Sequence, residues 1–334
     1  MSSPASEVIA VSHDDLERLH AGSTVIPAKS AIFRLAGPGV LECLQGILTN
    51  DVKAAGTDSL IYGAILTPKG MIVVDVWVFR DPDGFTVVAP KQAHQVVAEI
   101  FAKRFPPRLV TVKDHADDWR TAWLAGSDCA DAVSRAGSPF PSAPWKTVAV
   151  GDESLVLGRL GDGAPWSGIL VGQGQQVMSF IDRLQQQSTL IGTPQHHETL
   201  RIMGGWPGLG TEIGEKTLPQ EVRFDEIGGV SHTKGCYVGQ ETVARIHFRG
   251  HPNRTLRGVV WKGPSFGVGT AVFSAEKVVG RLTSVLEIDD LRIGLSLIRR
   301  EVLTGDQVSL GAPQGVAGAV RPPPFWDAAK TGAP

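Results

Sequence analysis

Residues 234–245 read KGCYVGQETVAR. Cys236 stands between Gly235 and Tyr237, and the step Gly239–Gln240–Glu241 follows. The chain has three cysteines and two tyrosines, and this stretch holds one of each. Glycine lets backbone come close to a ligand or to another segment. Lys234, two residues before the thiol, favours thiolate, the nucleophilic and metal-binding form, and Glu241 opposes it. Spacing alone favours a small buried apolar group in a tight turn.

The neighbourhood is basic. Lys234, Arg245, Arg249, Arg254 and Arg257 are accompanied by one acid, Glu241. Such a strip can meet phosphate or a polyglutamate tail, or be a solvated surface. The only aromatics within it are Tyr237, Phe248 and Trp261 just beyond, too few for a base-stacking platform, so no direct nucleic-acid partner is expected. His247 and His251 lie four apart, but no CxxC accompanies them and Pro252 breaks the helix. A structural zinc set wants more ligands at tight spacing, so no metal is expected.

Working outward, residues 204–240 are rich in Gly, Pro and charge without a period, an excursion of the kind found around sites. Before it, TPQHHETLRIMGG starts a helix with Thr193 as N-cap and Pro194 at its first position. Two similar series precede that helix. In the first, FRLAGPGVLECLQGILTNDV (33–52) is a strand, a Gly-Pro-Gly turn and a helix with Val40, Leu41, Leu44 and Ile47 on one side. SLIYGAIL, MIVVDVWVFR and FTVVAP form a meander through TPKG and DPDG turns. A helix over 91–105 faces inward through Val96, Val97, Ile100 and Phe101, and RLVTVKD is a further strand. The second series runs from WRTAWLAG through the helix DCADAVSRAG and three strands to the helix QQVMSFIDRLQQQ. After Pro252, TLRGVVW, TAVFS, KVVGRLTSVL, LRIGLSLI and DQVSL are short strands separated by turns, as in a small barrel. RPPPFWDAAKTGAP reads as an extended or disordered tail.

The bulk properties fit this. With 334 residues, 42% apolar and 20% charged, the chain has the composition of a globular protein of two or three domains. A net charge of −2 rules out a general polyanion binder. Three scattered cysteines point to a reducing compartment rather than a disulfide framework. The opening MSSPASEVIAVSHDD lacks a basic and apolar leader, and MIVVDVWVF is too short to span a bilayer. A cytoplasmic protein without a membrane partner is therefore expected.

KGCYVGQETVAR matches the K-G-C-Y-x-G-Q-E signature of YgfZ-type proteins, folate-binding relatives of the glycine-cleavage T-protein, an aminomethyltransferase. LQGILTNDV (44–52), TPKGMIVVDVWVF, ETLRIMGGWPGLGTEIGEKTLPQE and NRTLRGVVW resemble further stretches of that family, so the likeness covers most of the chain. It implies an α+β fold of three domains around a central opening: two ferredoxin-like α+β modules and a small C-terminal β-barrel. The implied division is a discontinuous folate-binding-type domain (15–50 and 115–252), an inserted module (51–114), the barrel (253–320) and a tail (321–334). The resemblance implies a role in assembly or repair of iron–sulfur enzymes, and indirectly in tRNA thiomethylation. Those enzymes or their cluster-assembly factors would be the partners, and tetrahydrofolate or a related folate the ligand. Cys236 would be the functional thiol, set by Lys234, Gly235, Tyr237, Gly239, Gln240, Glu241 and Arg245. Asn50, Asp51, Asp75, Arg201 and Met203 are the folate-pocket candidates.

Two departures from the T-protein pattern stand out. Its paired aspartates correspond to Val74 and Asp75, so one acid of the pair is missing. The family's R-[IL]-E-[AG]-G reads RIMGG, with Met203 at the glutamate that contacts the pterin. A thioether cannot accept the paired hydrogen bonds that an aminopyrimidine offers a carboxylate. The expectation is a factor that is not a classical enzyme, whose folate affinity a Met203→Glu change would raise. The competing reading is an aminomethyltransferase that uses tetrahydrofolate.

Overall fold

The computed structural model describes residues 8–151 and 155–332. Two sheets, each backed by helices, meet face to face, and a barrel closes one side. The first sheet has five strands in the order Ser59–Leu66, Ile72–Asp81, Gly84–Pro90, Ser30–Ala36, Thr111–Asp114, all antiparallel. Its strand SLIYGAIL is buried at every position, because both faces are covered. Side chains alternate along a strand. Val74, Val76 and Val78 therefore face one way, with Ile61, Ile65 and Val87, onto the helices Val40–Ile47 and His94–Arg104. Trp77 and Phe79 face the other way, with Leu60 and Tyr62, toward the second sheet. MIVVDVWVF is so apolar because it is a strand buried on two sides.

The second sheet has six strands in the order Leu190–Ile191, Thr24–Ala28, Trp119–Ala125, Gly168–Gln173, Leu155–Arg159, Thr147–Ala149. Ile26, Trp123, Ile169 and Val171 meet the first sheet. Val25, Leu124, Leu157 and Leu170 face outward onto the helices Cys129–Arg135 and Gly174–Gln186. The layers are thus helix, sheet, sheet, helix.

The barrel has six strands. Lys277–Ile288 pairs with both Ala271–Ser274 and Leu291–Arg299, and the circuit runs on through Arg254–Lys262, Val316–Arg321 and Gln307–Leu310. Ile9–Val11 adds a parallel strand at its side. Closure leaves no free edge. Among the described residues no helix is long and apolar enough to cross a membrane.

Several expectations change here. Residues 30–50 sit with the inserted module, not with the discontinuous domain: Ser30–Ala36 pairs with Gly84–Pro90 and Thr111–Asp114, and the helix behind the Gly-Pro-Gly turn packs on the same sheet. The module boundary therefore falls near residue 29 rather than 50. Val96 is 43% exposed, because Val97 and Phe101 alone suffice to seat its helix. The sixth barrel strand, VAGAVR, carries small residues and weak alternation, and the sequence reading passed over it. The expected tail instead holds a helix, Trp326–Thr331, anchored by Phe325 against the outer face of the barrel. Residues 333–334 of that tail lie outside the described residues.

Candidate functional site

The helix Val40–Ile47 ends with carbonyls that have no partner within the helix. The ammonium of Lys234 closes them. Its Nζ donates to Gln45 O at 2.8 Å, Leu48 O at 2.6 Å and Asn50 O at 2.9 Å. All three N–H groups are used, so none is left for the thiol. Burial pulls the lysine down to about 8, with Asp51 opposing. The same ammonium lies 4.9 Å from the centroid of the Tyr237 ring, a cation–π contact. Lys234 is thus the bolt that holds the motif to the inserted module.

Around that bolt the loop is laced down. Val238 N donates to Gly46 O at 3.1 Å, and Gln240 N to Tyr237 O at 3.2 Å. Gly239 has φ +85°, and a Cβ there would lie 2.6 Å from Thr67 O and 3.0 Å from Gly70 Cα. The TPKG turn and the motif interlock at these two glycines. Gln240 then opens the helix Gln240–Arg249, with Glu241 in its first turn, where a negative charge suits the helix dipole. Gly235 has open space around it. Gly239→Ala is expected to cost about 2 kcal/mol and to loosen the motif, since both the backbone region and the contact forbid a Cβ. Gly235→Ala should leave stability within about 0.5 kcal/mol. Denaturant unfolding of the two variants checks the contrast.

Cys236 is exposed on this anchored loop, whereas Cys43 is half-buried and Cys129 buried. Burial, then Glu42, pushes the Cys43 thiol up, and burial does the same to Cys129, which donates to Ala125 O. Of the three thiols, Cys236 is the most open to solvent. Arg245 and Glu241 are exposed on the following helix, and Gln240 is half-buried. Of the basic strip, Arg254 is bound to Glu221 through two contacts of 2.8 and 3.3 Å, and Arg257 lies 3.8 Å from Glu226.

The folate-pocket candidates divide. Asn50 donates to Tyr62 O at 2.8 Å and Gly228 O at 2.7 Å, tying the excursion to the first sheet. Asp51 accepts from Gln45 Nε2, Lys53 N and Ala54 N; burial works against its charge, but these bonds and Lys234 outweigh it and hold the carboxyl low. Arg201 is buried and spent: it donates to Glu198 at 2.7 Å, Trp206 O at 2.8 Å, Glu212 at 2.7 Å and Ser284 Oγ at 2.7 Å. Those three candidates are framework. Asp75 is different. It is buried on the Trp77 side of its strand, one oxygen accepts from Tyr62 OH at 3.0 Å, and the other has no partner. Burial raises its carboxyl to about 6, with the Tyr62 bond opposing. Rings surround it: Tyr62 stands 4.5 Å from Trp77, 5.0 Å from Trp206 and 5.2 Å from Phe224. The ring cluster continues to Trp166, Trp123 and His197, and Trp166 Nε1 and His197 Nε2 are also buried without partners.

Residues 27–161 match the GCVT N-terminal domain family. The tRNA-modifying protein YgfZ of Serratia proteamaculans is 27% identical over 227 residues, 68% of this chain and 67% of that protein. The tRNA-modifying protein YgfZ of Escherichia coli is 24% identical over 294 residues, 83% of this chain and 85% of that protein. The crystal structure of glycine cleavage system aminomethyltransferase T from Bartonella henselae superposes with a TM-score of 0.80 at 18% identity, covering 93% of this chain and 88% of the other. Over most of its length the chain is similar to the YgfZ proteins. It has the aminomethyltransferase fold.

At this centre two sequence expectations change. Position 74 points into the helix-backed core of its own module, with Val74 fully buried there, and position 75 points to the centre. The valine therefore does not remove a central carboxylate; Asp75 supplies one. Met203 does not face that centre. It is buried with Leu16, Leu256, Ile293 and Phe325, between its helix and the barrel, while Arg201, two residues earlier, turns inward. Met203→Glu is expected to lower stability by about 3 kcal/mol, the cost of an acid buried among apolar groups, instead of tightening folate. A lowered denaturant midpoint with unchanged folate affinity is the expected result.

The sequence reading missed the ring cluster. Eight tryptophans in one chain were its signal. It also missed Asp225 and His232, which meet His247. His251 goes elsewhere, with its Nε2 2.6 Å from Arg300 Nη1.

Proposed function

We propose that this chain serves in the assembly or repair of iron–sulfur enzymes, and through such an enzyme in tRNA thiomethylation, with Cys236 as its working thiol. The observation that carries the reading is the placing of that thiol. A loop bolted to three carbonyls by Lys234 and interlocked at Gly239 presents one exposed cysteine. A rigid support for a solvent-facing nucleophile suits transient transfer to a client protein. The name of the relatives, tRNA-modifying protein, supports the same direction. Expression in cells that lack their own factor should restore activity of an iron–sulfur, tRNA-thiomethylating enzyme; no restoration would reject the reading.

We further propose that a folate-like ligand binds at the centre. Asp75 offers a buried oxygen without a partner, and the rings around it offer stacking faces. When bound, a reduced folate supplies a one-carbon carrier. Asp75 would accept an N–H of the ligand, Tyr62 would hold the other oxygen in place, and Trp77 and Trp206 would exclude water. Asp75→Asn is expected to weaken tetrahydrofolate about tenfold, the loss of one charge-assisted bond. Wild-type affinity should fall as pH drops through about 6, where Asp75 takes up a proton and its charge is lost. Calorimetric titration at pH 5 and 8 measures both.

The aminomethyltransferase reading gains one observation, the central Asp75. A lipoyl-carrier release assay separates it, and turnover matching an authentic T-protein would favour it over the thiol-based role.

A further inference from the structure

Asp225 and His232 come from the irregular excursion, and His247 from the helix that follows the cysteine motif. The three converge. His232 Nε2 is 3.0 Å from Asp225 Oδ1, and His247 Nδ1 is 3.4 Å from Asp225 Oδ2. One ligand atom from each residue lies within 4.8 Å of the others, the one such cluster among the described residues. The two imidazoles are stacked, with centroids 3.5 Å apart and planes at 14°. Ligand atoms bound at about 2.0–2.2 Å to one ion stand about 3.0–3.4 Å apart in four- or six-coordinate geometry. The two nitrogen–oxygen separations fall in that range, one to each oxygen of the carboxylate.

We propose that Asp225, His232 and His247 form a binding site for a divalent first-row transition ion such as ferrous iron or zinc. Two imidazoles and one carboxylate are the donor set such ions prefer, and three protein ligands leave coordination positions open. The side chains are 18% (His232), 36% (His247) and 35% (Asp225) exposed, so the open positions face solvent. The site adjoins the cysteine loop: His232 is four residues before Cys236, and, after burial, Asp225 is what raises Tyr237, which reaches about 12. The site does not depend on the iron–sulfur reading, since its ligands do not include Cys236.

The test is a cobalt(II) titration of the metal-free full chain, followed by d–d absorption, with zinc as competitor. Wild type should bind one equivalent, displaced by zinc. Asp225→Asn and His247→Gln, which keep size and hydrogen bonding, should each bind at least about tenfold more weakly, with unchanged circular dichroism. Cys236→Ala should bind as wild type does. No cobalt uptake by the wild type, or equal uptake by both ligand variants, overturns the proposal. Loss of uptake in Cys236→Ala alone also overturns it, because the ion would then belong to the thiol.

Discussion

Cys236→Ala is expected to reduce rescue of iron–sulfur enzyme activity to the level of cells lacking the factor, with no loss of stability. The two halves of this expectation have separate causes. Cys236 is exposed and its thiol makes no hydrogen bond among the described residues, and its loop is held by other residues: Lys234 through three carbonyls, Val238 through Gly46 and Gly239 through the TPKG turn. Removing one exposed sulfur should change unfolding free energy by no more than about 0.5 kcal/mol. Function should vanish because Cys43 and Cys129, half-buried and buried, cannot substitute for it. Tenable results are therefore an unchanged denaturant midpoint together with absent tRNA thiomethylation. Full rescue by the alanine variant would sink the proposed role of the thiol. Cys129→Ala serves as a contrast: it opens a space in the helix-backed core and should lower stability without a specific effect on rescue.

The largest effect on stability is expected at Glu212. This carboxylate is 1% exposed, and every hydrogen bond around it is satisfied. One oxygen accepts from Arg201 Nη1 at 2.7 Å, Gly208 N at 2.9 Å and Thr211 Oγ1 at 2.7 Å. The other accepts from Thr283 Oγ1 and Ser284 Oγ, each at 2.7 Å. Burial works against its charge, but Arg201 and the hydroxyls outweigh it and hold the carboxyl below the usual range. The pair joins the helix Pro194–Met203, the excursion and the barrel strand Lys277–Ile288 at one point. Glu212→Ala would remove the fully buried charge partner of Arg201 and an acceptor of three hydroxyls, at a cost of about 3–5 kcal/mol. Denaturant unfolding should show a much lower midpoint, and the barrel should lose protection from amide exchange first. Replacing both partners, Arg201→Met with Glu212→Leu, should recover part of the loss, because no fully buried charge is then left unpaired, and Glu198, the other partner of Arg201, is 41% exposed. A Glu212→Ala midpoint equal to wild type would mean that the pair contributes nothing to holding the barrel.

Much of the architecture was legible because it follows from local chemistry. The Gly-Pro-Gly turn, the TPKG turn, Thr193 as N-cap and the five recognised barrel strands each rest on residues adjacent in sequence. VAGAVR escaped because small residues carry little alternation, and only pairing with Arg254–Lys262 and Gln307–Leu310 makes it a strand. The 326–331 helix escaped for a related reason: three prolines precede it, and it is held by Phe325 on a distant surface.

The sequence by itself determined the fold class, the motif and the identity of the thiol to examine, because turn chemistry, period and a specific octapeptide are local. Tertiary structure decided which way side chains point where both faces are apolar. On the strand Ile72–Asp81, covered on both sides, only the neighbouring layers distinguish position 74 from position 75. On the helix Pro194–Met203, only the docked barrel sends Met203 one way and Arg201 the other. The partner of Lys234 lies 184–189 residues away, and Asp225, His232 and His247 converge only after the excursion folds back on the helix Gln240–Arg249. Contacts between segments far apart in the chain depend on how layers pack, and no pattern within one segment encodes them.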